Sequence, residues 1–251
     1  MKRAFSIASV AVLALAIGNA QAVGKPGHGK QRAAAAASIF ASGFNNPRGL
    51  TFGPDGYLYV AEGGLGGADS TVGQCQQAAG DAAPYTGSTR NPVRGGRISK
   101  VSPAGAVSTV VNALPSSQTS AALGSLVSGV SSVAFIGNQL YGLLAGAGCS
   151  HGVRRVPNGI IKVGPGGTWS LLANLSAFQA AHPIANPDVE DFEPDGTWYS
   201  MTSAGGVLYP MDSNHQELDR VTPSGDISRV LDISALFTDW WGPTAIAQRG
   251  R

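Results

Sequence analysis

"ISKVSPAGAVSTVV" (residues 98–111) returns as "IIKVGPGGTWSLLA" (160–173) and again as "LDRVTPSGDISRVL" (218–231). Each copy is a short apolar run ending in Val, a Pro-x-Gly turn, and a second apolar run, which is the signature of a β-hairpin. A different hairpin precedes each copy: "RGLTFGPDGYLYVAEGG" (48–64), "SSVAFIGNQLYGLLAGAG" (131–148) and "GTWYSMTSAGGVLYPMD" (196–212). The chain is therefore read as three repeats of four consecutive antiparallel strands. One such unit cannot bury its own apolar faces and must stack on its neighbours, which predicts an all-β fold, a β-propeller of four-stranded antiparallel blades. A two-sheet sandwich gives no reason for a repeated motif.

The flanks of the array extend this reading. "ASIFASGF" (37–44) stands where a lone outer strand would, ahead of the first full unit, and "WWGPTAIAQRG" (240–250) matches the opening "NPRGLTFGPDG" as one further first strand. About three complete blades plus a first strand predict a C-terminally truncated six-bladed propeller. The alternatives are a ring completed by self-association and a functionally impaired copy. Helix has little support: the Ala33–Ala37 run is the best local helix former, but it lies outside the repeat and carries no amphipathic pattern.

The first residues have the form of an export signal. Lys2 and Arg3 precede an apolar stretch from Ala4 to Ile17, and Ala20-Gln21-Ala22 has the small-x-small form of a cleavage site. That stretch is shorter than the roughly 20 residues a membrane span needs. The expected organisation is a signal peptide over 1–22, a disordered linker over 23–37 and a partial propeller domain over 38–251, in an exported protein, periplasmic or extracellular, with no transmembrane segment after cleavage. Losing Lys2 and Arg3 takes the formal net charge from +2 to zero, so nothing points to nucleic acid. Cys75 and Cys149 are the only cysteines and lie too far apart for a local metal knuckle. In an oxidising compartment they predict one disulfide, with two free thiols as the alternative.

In a propeller the second-to-third-strand loops and the connections between blades share one face. The repeats place Glu62, Cys149-Ser150-His151 and Asp212-Ser213-Asn214-His215 there, each at the end of a second strand. The connection "HPIANPDVEDFEPDGTW" (182–198) adds Asp188, Glu190, Asp191 and Glu193, while Asp195 reads as turn chemistry. The expected ligand-binding face is thus Glu62, His151, Asp188, Asn214, His215, Glu217 and Trp241, the last with Trp240 offering aromatic surface to a planar ligand. A divalent metal is the cofactor to consider: Ca²⁺ for the acidic loop, or Zn²⁺ or Mn²⁺ held by Asn214, His215 and Glu217 with Glu62 and Asp188. A general-base reading pairs His215 with Glu217, and a plain polar turn explains the same residues. No nucleophile elbow, zinc helix or phosphate loop is present in the sequence.

"NPRGLTFGPDGYLYVAEGG", "LYGLLAGAGCSHG", "DFEPDGTWYSM", "NHQELDRVTPSG" and "GPTAIA" together resemble the ScyD/ScyE family of exported bacterial propellers, and more loosely the NHL and gluconolactonase-like propellers. The resemblance covers most of residues 40–247 and implies a larger propeller. The family's molecular activity is undefined, so a ligand or partner on the loop face is what the resemblance implies first, and a metal-dependent lactonase or other hydrolase second. The chain departs from the family pattern at Ser213 and Gln216, where members often carry Pro and Gly.

Overall fold

The structure is a computed structural model and describes residues 37–120, 126–237 and 241–249. The expected signal peptide, nearly all of the linker and Trp240 lie outside the described residues. Three four-stranded antiparallel sheets form the blades. Blade one is β1 (Pro47–Phe52), β2 (Leu58–Glu62), β4 (Gly96–Val101) and β5 (Val107–Leu114), with β3 (Thr86–Ser88) in the loop between β2 and β4. Blade two follows β6 (Ser116–Gln118) and β7 (Val127–Ser128), and consists of β8 (Val130–Ile136), β9 (Gln139–Leu144), β10 (Gly159–Val163) and β11 (Trp169–Asn174). Blade three is β12 (Trp198–Ala204), β13 (Val207–Asp212), β14 (Glu217–Val221) and β15 (Ile227–Asp232).

The repeat fixes the register as well as the strands. Val101 pairs with Val107, Val163 with Trp169 and Val221 with Ile227, each across the Pro-x-Gly turn. The first strand of the middle blade, β8, packs against both β1 and β12, so the first strands form the inner side of the array. Two apolar layers hold the blades together. Ala61, Ile98 and Val111 of blade one meet Val133, Leu144 and Ile161 of blade two, and Leu143, Ile160 and Ala173 on its other face meet Trp198, Leu208 and Val221 of blade three. Alternation along β9 and β10 sends successive residues to opposite neighbours, as the period of a strand requires.

Two elements were not expected from the sequence. β3, β6 and β7 form a separate three-stranded sheet, built from loop and connection without any repeat signal. Helix α1 (Leu175–Ala181) follows blade two, its N-terminus capped by Asn174, whose side chain accepts from the Ala177 N–H at 2.9 Å. Hence helix is present in the connection where only loop was anticipated.

A close backbone approach recurs at each blade boundary. The turn glycine of the second hairpin has a positive φ, +84° at Gly105, +77° at Gly167 and +97° at Gly225. A Cβ on Gly167 would stand 2.8 Å from the Val110 carbonyl oxygen of the preceding outer strand, and one on Gly225 closer still to that of Leu172. Val110 and Leu172 hold equivalent register positions in β5 and β11. At Gly105 the same oxygen belongs to Phe40, at 2.7 Å. The chain around Phe40 therefore holds the place of a preceding outer strand.

This contact predicts unequal costs for the same substitution. Gly225→Ala adds steric conflict with a packed backbone to the penalty of a left-handed conformation, and is expected to cost roughly 2–3 kcal/mol. Gly205→Ala has the positive φ (+56°) with nothing within 4 Å of the new methyl, and is expected to cost about 1 kcal/mol. Urea unfolding of both variants checks this, and equal costs would remove the boundary contact from the account.

Candidate functional site

The inner strands begin at one end of the blades, and the loops there enclose a cavity of about 420 Å³. Arg48 from β1, Ser131 from β8, and Trp198 and Tyr199 from β12 line it, so all three blades contribute. Tyr85 from the long loop of blade one and Asp191 and Glu193 from the connection before blade three complete its polar side. Trp198 and Tyr85 are buried, whereas Tyr199 is 43% exposed.

Glu193 anchors a buried string of polar groups behind this wall. Its Oε1 accepts from the Tyr85 hydroxyl at 2.6 Å, its Oε2 accepts from Thr197 Oγ1, and His151 Nε2 lies 3.5 Å away. The imidazole stacks on Tyr85 with ring centroids 4.7 Å apart, and Ser150 Oγ stands 3.3 Å from His151 Nδ1. Ser150 in turn donates from both N (2.8 Å) and Oγ (2.6 Å) to Asp195 Oδ2. Burial raises the Glu193 carboxyl, but the His151 contact and the Thr197 and Tyr85 hydrogen bonds outweigh it and hold the group below the usual carboxylate range. Burial, then the Glu193 charge, pushes the Tyr85 phenol up. Ser150 is fully buried with its proton committed to Asp195, so the Ser-His adjacency orients groups and presents no nucleophile.

The expected disulfide is formed: Cys75 and Cys149 are bonded with Cα atoms 6.3 Å apart, tying the loops of blades one and two. The other expected site residues do not converge on a shared ligand position. Glu62 is fully buried, its carboxylate filled by Arg97 (Nε 2.8 Å, Nη2 2.6 Å), Ser99 Oγ (2.5 Å) and Asn45 N (2.7 Å). Asp188 accepts from the Glu190 N–H at 3.1 Å within its own turn. Glu217 is bound by Arg229 Nε at 2.5 Å and Gln179 Nε2 at 2.8 Å. His215 Nδ1 faces Asp212 Oδ2 at 3.3 Å rather than Glu217. Trp241 packs on Phe237, with ring centroids 5.6 Å apart. Among the described residues no group of three His, Cys, Asp or Glu side chains stands together to hold a metal ion, so the candidate ligand set Glu62, Asp188, Asn214, His215 and Glu217 is not assembled.

Two of these residues nonetheless shape the cavity. His151 supports Glu193 from behind, and Asn214 pins the chain that carries it: the Glu193 N–H donates to Asn214 Oδ1 at 2.9 Å, and Asn214 Nδ2 donates to the Asp191 carbonyl at 2.5 Å. Gln216 has φ +53°, the left-handed conformation for which Gly is suited. Arg48, Tyr85 and Tyr199 escaped the sequence reading because none sits in a polar cluster. Glu193 was visible only as one of several acids.

No family and no curated protein matches the chain. Among solved structures it is similar to selenomethionine-substituted virginiamycin B lyase from Staphylococcus aureus, with 14% identity and a TM-score of 0.35 over 73% of this chain and 40% of that one. It is also similar to the PQQ-bound aldose sugar dehydrogenase from Streptomyces coelicolor, with 14% identity and a TM-score of 0.25 over 78% of this chain and 84% of that one. The chain thus spans about 40% of the lyase's length. The fold follows from the three sheets themselves, and neither neighbour's activity is carried over.

Register exposes one further contrast. Glu62 and Asp212 hold the same place opposite the first strand, and Leu144 holds it in blade two. By the same pairing Arg97, Gly159 and Glu217 are equivalent, as are Ser99, Ile161 and Asp219. Blade one fills the three places with a satisfied Glu-Arg-Ser set and blade two with apolar groups. Blade three fills them with three carboxylates, all fully buried, and neither oxygen of Asp219 has a hydrogen-bond partner.

Burial, reinforced by the Glu217 charge, pushes Asp219 up from 3.8 to about 8. The folded state therefore keeps a proton that the unfolded chain releases above about pH 4, and the stability this provides is lost as pH rises toward 8. Asp219→Ser, which copies blade one, is expected to gain on the order of 3 kcal/mol relative to the parent between pH 4 and pH 8. Unfolding free energies at the two pH values test this. Parallel stability curves would mean that Asp219 does not titrate in this range.

Proposed function

We propose that this chain is an exported β-propeller protein of the ScyD/ScyE type that binds a small hydroxylated ring compound in the cavity on its loop face. The cavity carries this reading, because one end of the inner strands brings together an exposed aromatic face and groups of both charges. Tyr199 offers a surface for stacking. Arg48 and Asp191 offer charge-assisted hydrogen bonds to hydroxyl groups, and Ser131 and Thr119 add neutral partners on the lining. Polar groups converging beside aromatic surface in a concave wall are the usual means of orienting a small molecule, and this lining mixes Trp198, Tyr199 and Leu126 with hydroxyl and charged side chains. Export is supported by the leader-like first residues and by a disulfide, which persists in oxidising compartments.

Calorimetric titration against a panel of monosaccharides, disaccharides, hydroxylated phenols and lactones tests the proposal. A member of the panel is expected to bind with micromolar to millimolar affinity. Tyr199→Ala and Arg48→Ala are each expected to weaken it by at least about fivefold, on the order of 1 kcal/mol. Substitution of Val93, 73% exposed and outside the cavity lining, is expected to leave it unchanged. Affinity indifferent to both cavity substitutions would place the ligand elsewhere, and turnover of a lactone or ester would replace binding with catalysis.

A further inference from the structure

The segment Asp191–Pro194 is a partition between two cavities. Asp191 and Glu193 face the cavity already described, while Phe192 and Pro194 line a second cavity of about 300 Å³. The Asn214 amide fixes this stretch by bonding the Glu193 N–H and the Asp191 carbonyl, so its neighbouring side chains are held toward opposite cavities. Beyond the partition, Pro183, Ile184 and Pro187 supply rigid apolar walls, and Gln76, Gln179 of α1 and His215 supply the polar ones.

His215 is built into this second cavity with a defined orientation. Its backbone N–H donates to Asp212 Oδ1 at 3.0 Å and its Nδ1 stands 3.3 Å from Asp212 Oδ2, while the Phe192 ring meets it edge-on at 5.0 Å. The Asp212 carboxylate thereby faces Nδ1 as a charge contact without a closed hydrogen bond, and Nε2 is left to the cavity the side chain lines. Burial lowers the imidazole's pKa, but the Asp212 contact, with Glu217 and Glu193, outweighs it and raises the group, which favours Nε2 as a donor. The cavity lining itself holds no Asp, Glu, Lys or Arg side chain, and His215 and Arg229 are already paired with Asp212 and Glu217, so a neutral guest fits it.

We propose that this cavity is a second binding site, for a small apolar ring compound bearing a carbonyl oxygen, which accepts a hydrogen bond from His215. The site does not depend on occupancy of the first cavity. Titration of ¹⁵N-histidine-labelled protein with acetophenone is the test, and a saturable shift of the His215 ring signals in the millimolar range is expected. Ala180 lines the cavity from the exposed side of α1, so Ala180→Phe is expected to fill it and weaken acetophenone at least about tenfold. Pro187→Phe serves the same purpose should that variant fail to fold. Tyr199→Ala is expected to leave acetophenone binding unchanged. A His215 signal that does not move up to the solubility limit, or a shift that survives the filling variants, overturns the site. Loss of binding in Tyr199→Ala instead assigns the ligand to the first cavity. Tighter binding of 1-phenylethylamine than of acetophenone overturns the acceptor chemistry.

Discussion

The close passage of an outer-strand carbonyl over the next blade's turn glycine is the constraint on which the array depends. It demands a residue with no Cβ and a left-handed backbone at the same position, which is why Pro-x-Gly recurs where the rest of the hairpin drifts. With that distance set, the apolar faces on either side of blade two meet their neighbours at contact, and Ile98, Ile160 and Leu208 bury fully. Two apolar layers of this kind supply the main favourable term, and the glycine turns determine the spacing at which they operate.

Stacking also decides where chemistry can occur. With the inner strands side by side, their starting residues crowd one end, and the loops must cover that end without a regular sheet of their own. Three devices do so: the disulfide between Cys75 and Cys149, the small sheet of β3, β6 and β7, and the Asn214 amide under the Asp191–Pro194 partition. Each fixes loop backbone where the blade repeat supplies no partner. The Cys75–Cys149 bond closes a separation of 74 residues, and in the chain-entropy picture a loop that long gives about 4 kcal/mol of stabilisation.

Strand positions, register and the disulfide were legible because each is a local or repeating signal: a turn glycine, an alternation, a pair of cysteines in equivalent loops. The loop face was legible for the same reason. The residues on it were not, since polarity at the end of a strand does not say which way a side chain is turned. Glu62 reads as a ligand until Arg97, thirty-five positions away, is seen to fill its carboxylate. Arg48 and Tyr199 read as ordinary strand residues until the inner strands are set side by side. Helix α1 depends on a single capping residue, Asn174, and a seven-residue helix leaves almost no periodic trace.

The three blades also differ in what they place at one conserved register. Blade one can hold a carboxylate there because Arg97 lies opposite and Ser99 completes its hydrogen bonds. Blade two avoids the question with Leu144, Gly159 and Ile161. Blade three takes three acids: Arg229 from its own outer strand pairs with Glu217, Gln179 from α1 and His215 from the turn serve Asp212, and Asp219 is left without a hydrogen-bond partner. That imbalance explains why a helix stands between blades two and three, since Gln179 reaches both Asp212 (2.6 Å) and Glu217 (2.8 Å) from it. It also explains the orientation of His215: the imidazole is held toward Asp212 by the charge that the sheet cannot satisfy, and its remaining nitrogen is thereby directed away from the blade. The "SNHQE" turn takes its geometry from this imbalance, so the His-Glu spacing in the sequence is incidental and the contact with Asp212, three residues away, is what orients the imidazole.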